Sequence, residues 1–244
     1  MALLSERLSA VAEMITPGLA VADIGCDHAY LSIYLARENI SPRIIACDIN
    51  SGPVMRAREN IGDVELDDRI EVRQGDGLAV IDPGEAESVV IAGMGGKLMA
   101  RIIEEGAAIL KEARELIMEP QSEVGYLRHF LQDSGYRIIS ENMVTEEGKF
   151  YPILKAVHGQ MNWESEVYFR YGKILLREEN PVLHEFLIVE KNYLSGLLKE
   201  LSEKEDIPHV FVRIEEIKSD LALNADALQL VSEPGLFEDN RQII

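Results

Sequence analysis

The fold is decided by the stretch Val21-Ala22-Asp23-Ile24-Gly25-Cys26-Asp27-His28-Ala29. Its apolar first half is typical of a short buried strand, and a helical pattern follows near Tyr30–Glu38. The glycine between them lets the backbone turn sharply and approach a ligand at the helix N-terminus, where unpaired amide groups collect. A plain strand-to-helix turn with Asp27 as the helix cap explains these residues equally well in isolation.

Apolar β-branched runs and helical patterns alternate from this turn to about residue 120. Further strands are predicted at Arg43–Asp48, Ile70–Arg73, Ser88–Gly93 and Glu115–Glu119. Helices are predicted near Pro53–Asn60, Leu98–Leu110 and Val124–Ser134. Strands separated by helices of this length predict an α/β fold, with a parallel sheet covered by helices on both faces.

The alternation ends in two strand-like runs, Tyr136–Ser140 and Tyr151–Val157, with only a short connection around Gly148. A short connection indicates an antiparallel pair at the edge of the sheet. The prediction is therefore a Rossmann-like, mostly parallel sheet with an antiparallel edge strand. Class I methyltransferases show this finish, whereas dinucleotide dehydrogenases usually end in a parallel strand.

The last third of the chain carries helical patterns only. A helix is predicted at Trp163–Glu179, and Asn180-Pro181 interrupts it. Apolar residues then recur at a spacing of three and four in two seams, Leu183, Leu187, Leu194, Leu197 and Leu201, and Val210, Ile214, Ile217, Leu221, Leu228 and Val231. Two such seams predict an antiparallel, coiled-coil-like hairpin, in which Glu190 and Asn224 would reduce stability but fix the register. Two ordinary amphipathic helices are the alternative, and the tail from Glu233 is expected to be loose.

Composition and charge restrict the class of protein. The 244 residues have an ordinary globular composition, without repeats and without an apolar run of membrane-spanning length. From the first residues, Met1 to Arg7, we expect no secretion signal. Two cysteines form no disulfide framework, so we expect a cytoplasmic protein. The net charge of −19 argues against nucleic-acid binding, so any phosphate-binding surface must be a local patch.

Three further strands are predicted to end in residues suited to an adenosine-containing ligand. Asp48, followed by Ile49, can accept the hydroxyl hydrogens of a ribose, although an acidic residue there can equally be a helix cap. The aspartate in Gly75-Asp76-Gly77 can accept from an adenine amino group, and a plain tight turn is the alternative. The glycines of Gly93-Met94-Gly95-Gly96 are poorly explained by core packing, so we expect this loop to line the site.

These motifs, from Asp23-Ile24-Gly25-Cys26-Asp27-His28-Ala29 to Gly93-Met94-Gly95-Gly96, resemble those of the bacterial tRNA adenine(22)-N1 methyltransferases. Further matches are Arg7-Leu8, Pro120, Leu127-Arg128, Leu131 and Glu147-Gly148-Lys149-Phe150-Tyr151. The resemblance implies an S-adenosylmethionine-binding catalytic domain over residues 1–160 and a tRNA-gripping helical domain over residues 161–244. One residue departs from the family's pattern, because Glu119 stands where the family more often has Gln.

The residues at the strand ends are assigned individual roles. The expected cofactor contacts are Gly25, Cys26, His28, Asp48, Ile49, Asp76, Gly77, Gly93 and Met94. The substrate contacts expected near the mouth of the site are Gly95, Gly96, Lys97, Arg101 and Arg128, although solvated surface charge is the default for the last three. Asp27 is the candidate catalytic residue, because a carboxylate stabilises the positive charge that N1 methylation leaves on adenine. Core packing is the favoured explanation for Tyr30, and base stacking is its alternative.

Several functions remain open at this point. The acidic charge favours a methyltransferase of a small molecule, whereas the helical hairpin favours tRNA. A methyltransferase-like binding module without catalysis is a third possibility, and an NAD-linked oxidoreductase is disfavoured by the single-glycine turn and the antiparallel finish. We expect no metal, no membrane partner, and a monomer or weak dimer.

Overall fold

A computed structural model describes residues 4–202 and 208–232 of the chain. The chain divides into two compact units, Met1–Asn162 and Trp163–Ile244. The tail expected to be loose from Glu233 onward lies outside the described residues, as does most of the break between the two predicted seams. In the described part, no helix is both long enough and apolar enough to cross a membrane.

The first unit is built on one seven-stranded sheet. Its strands are β1 Val21–Ile24, β2 Ile44–Asp48, β3 Ile70–Gln74, β4 Ser88–Gly95, β5 Glu115–Ser122, β6 Tyr136–Glu146 and β7 Lys149–His158. They lie in the order β3-β2-β1-β4-β5-β7-β6. The first five are parallel to their neighbours, and β7 is antiparallel to both β5 and β6.

The predicted fold class is confirmed, with one refinement at the edge. The strand that runs against the others is β7, which is second from the edge, and β6 lies outside it. The two strands are longer than their apolar runs, because the hairpin register continues without a break from Ser140 paired with Lys155 to Glu146 paired with Lys149. The tip of this hairpin therefore extends beyond the carboxyl end of β5.

The helices of the first unit precede the first strand or connect successive strands. They are α1 Glu6–Met14, α2 Tyr30–Arg37, α3 Ser51–Gly62, α4 Gly96–Glu105, α5 Ala107–Leu110 and α6 Val124–Asp133. The helix predicted at Leu98–Leu110 is two helices, divided at Gly106, where a Cβ would meet Leu78 and the Ile102 carbonyl. No helix was predicted before the first strand, and α1 is capped by Ser5, whose side chain accepts from the Leu8 N–H.

The core fills the two sides of the central strands. Strands β1 and β2 are buried on both faces, which explains why their sequences are nearly continuous apolar runs rather than alternating ones. Asp23 is the exception in β1, and it is buried too. The parallel pairing of β1, β2, β3 and β4 brings the carboxyl ends of these four strands to one edge.

The second unit is helical. Its helices are α7 Glu166–Tyr171, α8 Lys173–Arg177, α9 Pro181–Ser202 and α10 Pro208–Ser232. The prediction of one helix at Trp163–Glu179 is wrong. The structure has two short helices there, because Gly172 between them adopts a φ of 92°. The predicted seams supply the buried faces of α9 and α10, including Leu183, Leu187, Ile214 and Ile217.

The two polar seam residues meet in the structure. Asn224 is fully buried, and its Nδ2 donates to the Leu187 carbonyl at 2.9 Å and to Glu190 Oε2 at 3.0 Å. The Tyr171 hydroxyl and the Arg170 guanidinium also donate to Glu190, at 2.7 and 3.0 Å. A displaced register would break this network, so the prediction that these residues fix the register gains a physical basis.

Candidate cofactor and substrate site

The turn after β1 has a left-handed backbone at three of five residues. The φ angles are 76° at Gly25, 47° at Asp27 and 57° at Ala29. Left-handed non-glycine residues cost about 1–3 kcal/mol each and collect at functional sites. Ala29 is the residue that caps α2, without a side-chain bond, so the alternative that Asp27 caps this helix is wrong.

Four loops converge at the carboxyl edge of the sheet. The N–H groups of Gly25 and Cys26 both donate to the Cys47 carbonyl, at 2.8 and 3.0 Å, which ties the first turn to the end of β2. The N–H of Gly75 donates to the Asp48 carbonyl at 3.0 Å, which ties the third loop to the second. The loop after β4 lies over the first turn, because a Cβ at residue 25 would overlap the Met94 methyl group.

Asp48 ends β2 with one carboxylate oxygen engaged. Its Oδ1 accepts from the Asn50 N–H at 2.9 Å and from the Asn50 amide at 3.4 Å. The side chain of Ile49 is exposed, and the Ile49 carbonyl accepts from Gln74. The loop is therefore held by the side chains of Asp48, Asn50 and Gln74, and the Asp48 carboxylate is set at the strand end where the sequence predicts a ribose contact.

The glycines predicted to form a loop after the fourth strand instead lie in the last residues of β4 and at the first residue of α4, and they are needed there for close approach. Gly93 has a φ of 77°, and its N–H donates to Glu119 Oε2 at 2.8 Å. At Gly96 a Cβ would lie 2.5 Å from the Glu123 carbonyl oxygen, a backbone atom that cannot move aside easily. Gly95 lies against the Ser122 hydroxyl in the same way. The loop is thus packed tightly on the end of β5 rather than free.

Asp27 projects from the strained turn between two partners. Its Oδ1 lies 3.6 Å from Arg56 Nη2 and its Oδ2 lies 3.6 Å from His28 Nε2, while 63% of the side chain remains exposed. The His28 carbonyl accepts from Asn60 Nδ2 at 2.9 Å, which fixes the turn against α3. Arg56 was not predicted from the sequence, where its only signal is its place in the second turn of the helix that follows Asp48.

Two of the predicted basic contacts are exposed but already face carboxylates. Lys97 Nζ lies 2.7 Å from Glu123 Oε1 and 5.9 Å from the centre of the Tyr126 ring. Arg101 Nη2 lies 3.9 Å from Asp76 Oδ1, and its Nε lies 4.0 Å from Glu105 Oε1. Phosphate contacts by these two residues stay a prediction, and each would have to compete with its present partner.

The predicted contact of Arg128 with the substrate, the third basic contact, is contradicted by the structure. Its side chain is 1% exposed, and its Nε donates to Glu141 Oε1 at 2.9 Å, with Glu141 fully buried. A guanidinium enclosed with its carboxylate inside the protein cannot reach a phosphate group. Arg128 lies on the inner face of α6 beside Leu127 and Leu131, where a helical pattern with one basic residue gave no sign of burial.

Glu119 and Arg7 join the glycine loop to the N-terminal helix. Arg7 Nη1 donates to Glu119 Oε2 at 2.6 Å, and the guanidinium also lies 3.8 Å from Glu146 and 5.5 Å from the Tyr151 ring centre. Burial raises the pKa of the Glu119 carboxyl, and the Arg7 charge opposes that shift. Glu119 Oε1 has no hydrogen-bond partner among the described residues. Glu119, the residue that departs from the family's pattern, thus holds the backbone at Gly93 and links it to Arg7.

The buried polar groups beneath the site are not nucleophiles. Burial raises the pKa of the Cys26 thiol far above neutrality and that of the Cys47 thiol to about 12, so both stay protonated. Burial also raises the pKa of Asp23 to about 6, the Ser32 hydroxyl opposes the shift by donating at 2.7 Å, and the Asp48 charge adds to it. An acid inside an otherwise apolar strand was a visible signal that the sequence analysis did not use.

Asp23 makes the stability of the protein depend on pH. Because its folded pKa exceeds the unfolded value, the folded protein holds a proton that the unfolded chain has lost between about pH 4 and pH 6. The free energy of unfolding therefore falls as the pH rises through this window, by about 3 kcal/mol for a shift of this size. Asp23→Asn keeps an acceptor for Ser32 and removes the titration. We therefore expect the free energy of unfolding of the variant, relative to that of the wild type, to increase by about this amount from pH 4 to pH 7. Urea unfolding at the two pH values measures this change. An equal difference at both pH values would contradict the assignment.

Comparison with known proteins agrees with this geometry. Residues 4–154 match the model of a methyltransferase domain family. The chain is 34% identical over 235 residues to the tRNA (adenine(22)-N(1))-methyltransferase of Bacillus subtilis strain 168, which covers 94% of this chain and 96% of that protein. The chain belongs to the tRNA (adenine(22)-N1)-methyltransferase family.

Solved structures of the family share the fold along nearly the whole chain. The crystal structure of the Bacillus subtilis M1A22 tRNA methyltransferase TrmK is 32% identical with a TM-score of 0.84, over 93% of this chain and all of that one. Sp1610 of Streptococcus pneumoniae, in complex with S-adenosyl-L-methionine, is 32% identical with a TM-score of 0.83 and the same coverage. The class I fold and the family that the sequence motifs indicated are confirmed.

Proposed function

We propose that this protein transfers the methyl group of S-adenosylmethionine to N1 of an adenine in tRNA, at position 22 as in the named relatives. The observation that carries the proposal is the convergence of the Gly25–Ala29 turn, Asp48 and the Gly93–Gly96 loop at one edge of the sheet. This edge is where open α/β sheets bind their ligands. Membership of the family supports the same substrate.

The residues at this edge fit the cofactor by their chemistry. Gly25 has no side chain of its own, although the Met94 methyl group fills the space beside its Cα, while Asp48 is an acceptor for ribose hydroxyls and Asp76 an acceptor for the adenine amino group. The groups proposed to hold it further include Cys26, His28, Ile49, Gly77, Gly93 and Met94. Bound S-adenosylmethionine supplies the activated methyl group. In the part of the chain that the structure describes, no cluster of three or more His, Cys, Asp or Glu residues could hold a metal.

Adenine N1 carries a lone pair at neutral pH, so methyl transfer to it needs no strong base. The protein's task is to hold N1 in line with the methyl group, which lowers the barrier by orientation. The reaction leaves a positive charge on the purine, and the exposed Asp27 carboxylate is the group proposed to stabilise it. Gly95 and Gly96 are proposed to border the base, with Lys97 and Arg101 toward the phosphates. Because N1 lies on the pairing edge, the base has to leave its stack.

The function is tested by incubating purified protein with S-adenosylmethionine and unmodified tRNA. Mass spectrometry of the digested tRNA is expected to find 1-methyladenosine at one position. A tRNA in which the adenine at position 22 is replaced by guanine is the matched control, and it is expected to remain unmethylated. Transfer to no tRNA, or equal transfer to the control, would overturn the proposal.

Asp48→Asn tests the cofactor site. Asn keeps the Oδ1 that accepts from Asn50 but loses the charge, and a hydrogen bond to a charged group contributes about 1.5–3 kcal/mol. The variant is expected to bind S-adenosylmethionine about 10–100-fold more weakly by calorimetry. Asp68→Asn makes the same charge change on an exposed residue before β3, at the other edge of the sheet, and is expected to bind normally. Equal affinity in the two variants would count against the ribose assignment.

A small-molecule substrate is the second candidate, and the net charge of −19 favours it. The two differ in their dependence on salt. Binding of tRNA weakens steeply as the salt concentration rises, because phosphate contacts release counterions, whereas binding of a neutral metabolite does not. A Michaelis constant for tRNA that stays unchanged between 50 and 200 mM salt would favour the small molecule as substrate.

The remaining partners and setting belong to the same proposal. The second unit, Trp163–Ile244, is proposed to grip the tRNA, and the protein to work as a monomer or weak dimer in the cytoplasm, where its substrate is found. Light scattering of the purified protein tests the oligomeric state. A mass of four or more protomers would contradict it.

A further inference from the structure

The ring of Tyr30 lies at the surface of the candidate site. It is 50% exposed, although its chain neighbours Ala29 and Leu31 are buried, so the prediction that it packs in the core is wrong. Its plane lies within 5° of the His28 ring plane, and the two ring centres are 5.4 Å apart. The two rings thus form an offset stack, called here the His28–Tyr30 platform.

The platform is held in place by the turn that carries Asp27. His28 lies between two left-handed residues, Asp27 and Ala29, and its carbonyl is fixed by the Asn60 side chain. Such a backbone persists only where the surrounding structure imposes it. The ring pair, with the His28 side chain 33% exposed and Tyr30 50% exposed, is therefore a built feature at the start of α2, next to the proposed catalytic carboxylate.

A cation borders the platform. Arg56 is about half exposed, and its guanidinium lies 3.6 Å from Asp27, which in turn lies 3.6 Å from His28. Proteins that bind unpaired nucleotides combine aromatic rings, on which bases stack, with cations that meet the backbone. In a protein with a net charge of −19, phosphate contacts alone give little affinity, so stacking has to contribute more.

We propose that the His28–Tyr30 platform is the surface on which an unpaired base of the tRNA stacks, with Arg56 facing the adjoining phosphate. The inference rests on the proposed function and adds the residues that bind the substrate. His28 is also one of the proposed cofactor contacts, so Tyr30 is the residue of the platform that the test changes. The acceptor proposed for the cofactor's adenine, Asp76, follows a different strand.

The test measures tRNA and cofactor binding separately. Tyr30→Ala removes the ring and is expected to weaken tRNA binding and raise its Michaelis constant about 5–100-fold, the effect of losing one stacked base. The rate at saturating tRNA is expected to change much less, and calorimetry is expected to give unchanged affinity for S-adenosylmethionine. Tyr30→Phe keeps the ring and is expected to match the wild type. Ile139→Ala removes a similarly exposed apolar side chain on β6, at the far side of the sheet, and serves as the control.

Two further variants separate stacking from charge. Tyr30→Trp places a larger ring and a fluorophore on the platform, and tRNA is expected to bind at least as tightly and to quench its emission. Arg56→Gln is expected to flatten the salt dependence of tRNA binding, whereas Tyr30→Ala is expected to leave that slope unchanged.

The outcomes distinguish this inference from the proposed function. If the wild type methylates tRNA and Tyr30→Ala binds it equally well, the platform assignment fails and the proposed function stands. If Tyr30→Ala loses the cofactor rather than tRNA, the platform belongs to the cofactor and the inference is overturned. If the wild type methylates no tRNA, both fail. Urea unfolding of each variant, expected to match the wild type, confirms that the exposed substitutions leave the fold intact.

Discussion

Replacing Asp27 by Asn is expected to lower the maximal rate of tRNA methylation about a hundredfold or more. The Asp27 side chain is 63% exposed on a turn with a left-handed backbone. We propose that its carboxylate stabilises the positive charge that forms on adenine as N1 accepts the methyl group. The effect is expected in kcat rather than in the affinity for either substrate, because that charge is absent before the reaction. Single-turnover measurements with both substrates saturating give this rate directly.

The choice of Asn rather than Ala matters at this position. Asp27 has a φ of 47°, a conformation that Asn tolerates better than other side chains without a glycine's freedom. Asp27→Asn therefore removes the charge and keeps the turn. Asp27→Gly removes both the charge and the backbone strain, so it should be as inactive as the Asn variant if the charge is what counts.

Controls separate a catalytic role from a loss of binding. Asp68→Asn makes the same change of net charge on an exposed turn and is expected to retain the wild-type rate. The affinity for S-adenosylmethionine is expected to stay within a few-fold in both variants. An Asp27→Asn variant that turns over at the wild-type rate would remove Asp27 from the mechanism.

Replacing Arg128 by Ala is expected to destabilise the protein by about 3–5 kcal/mol, the usual cost of leaving one member of a buried ion pair unpaired. The Arg128–Glu141 pair is enclosed between α6 and β6, with side-chain exposures of 1% and 0%. The loss should appear as a lower urea midpoint with a nearly unchanged slope. At temperatures where the variant is folded, tRNA binding is expected to be unaffected.

Matched variants test the buried pair. Arg114→Ala breaks an exposed pair with Glu87 at 3.5 Å and is expected to cost less than about 1 kcal/mol. The double variant Arg128→Met, Glu141→Leu replaces the pair by apolar side chains of similar size and is expected to recover most of the lost stability. A specific loss of tRNA affinity in Arg128→Ala, with normal stability, would restore the original phosphate-contact assignment.

The sequence was most informative where one chemical requirement acts locally. A glycine is needed at Gly25 and Gly93 because of their positive φ, and at Gly96 because of backbone crowding, so the residue type itself reveals the loop. The same holds for the directions of the strands. Apolar runs buried on both faces and separated by helices leave few arrangements besides a parallel sheet, and a short connection leaves little besides an antiparallel finish.

Side-chain environment was much harder to predict, and the errors share one cause. Arg128 was expected outside and is buried, while core packing was favoured for Tyr30 and its ring is half exposed. Both residues lie on helices of mixed character, where a single residue's burial depends on what packs against that face. Glu141 cannot be assigned as the partner of Arg128 from spacing alone, because the two residues are 13 positions apart on two successive elements, α6 and β6.

The chain by itself determined the class of fold, the family and the loops that form the candidate site, because backbone conformation and apolar periodicity are written in consecutive residues. Only the tertiary structure decided which charges are free to meet a substrate. Arg7 reaches Glu119 across 112 positions and Asp27 meets Arg56 through a neighbouring helix. Electrostatic and packing energies depend on distance in space and on burial, and both are fixed only when the strands and helices have come together.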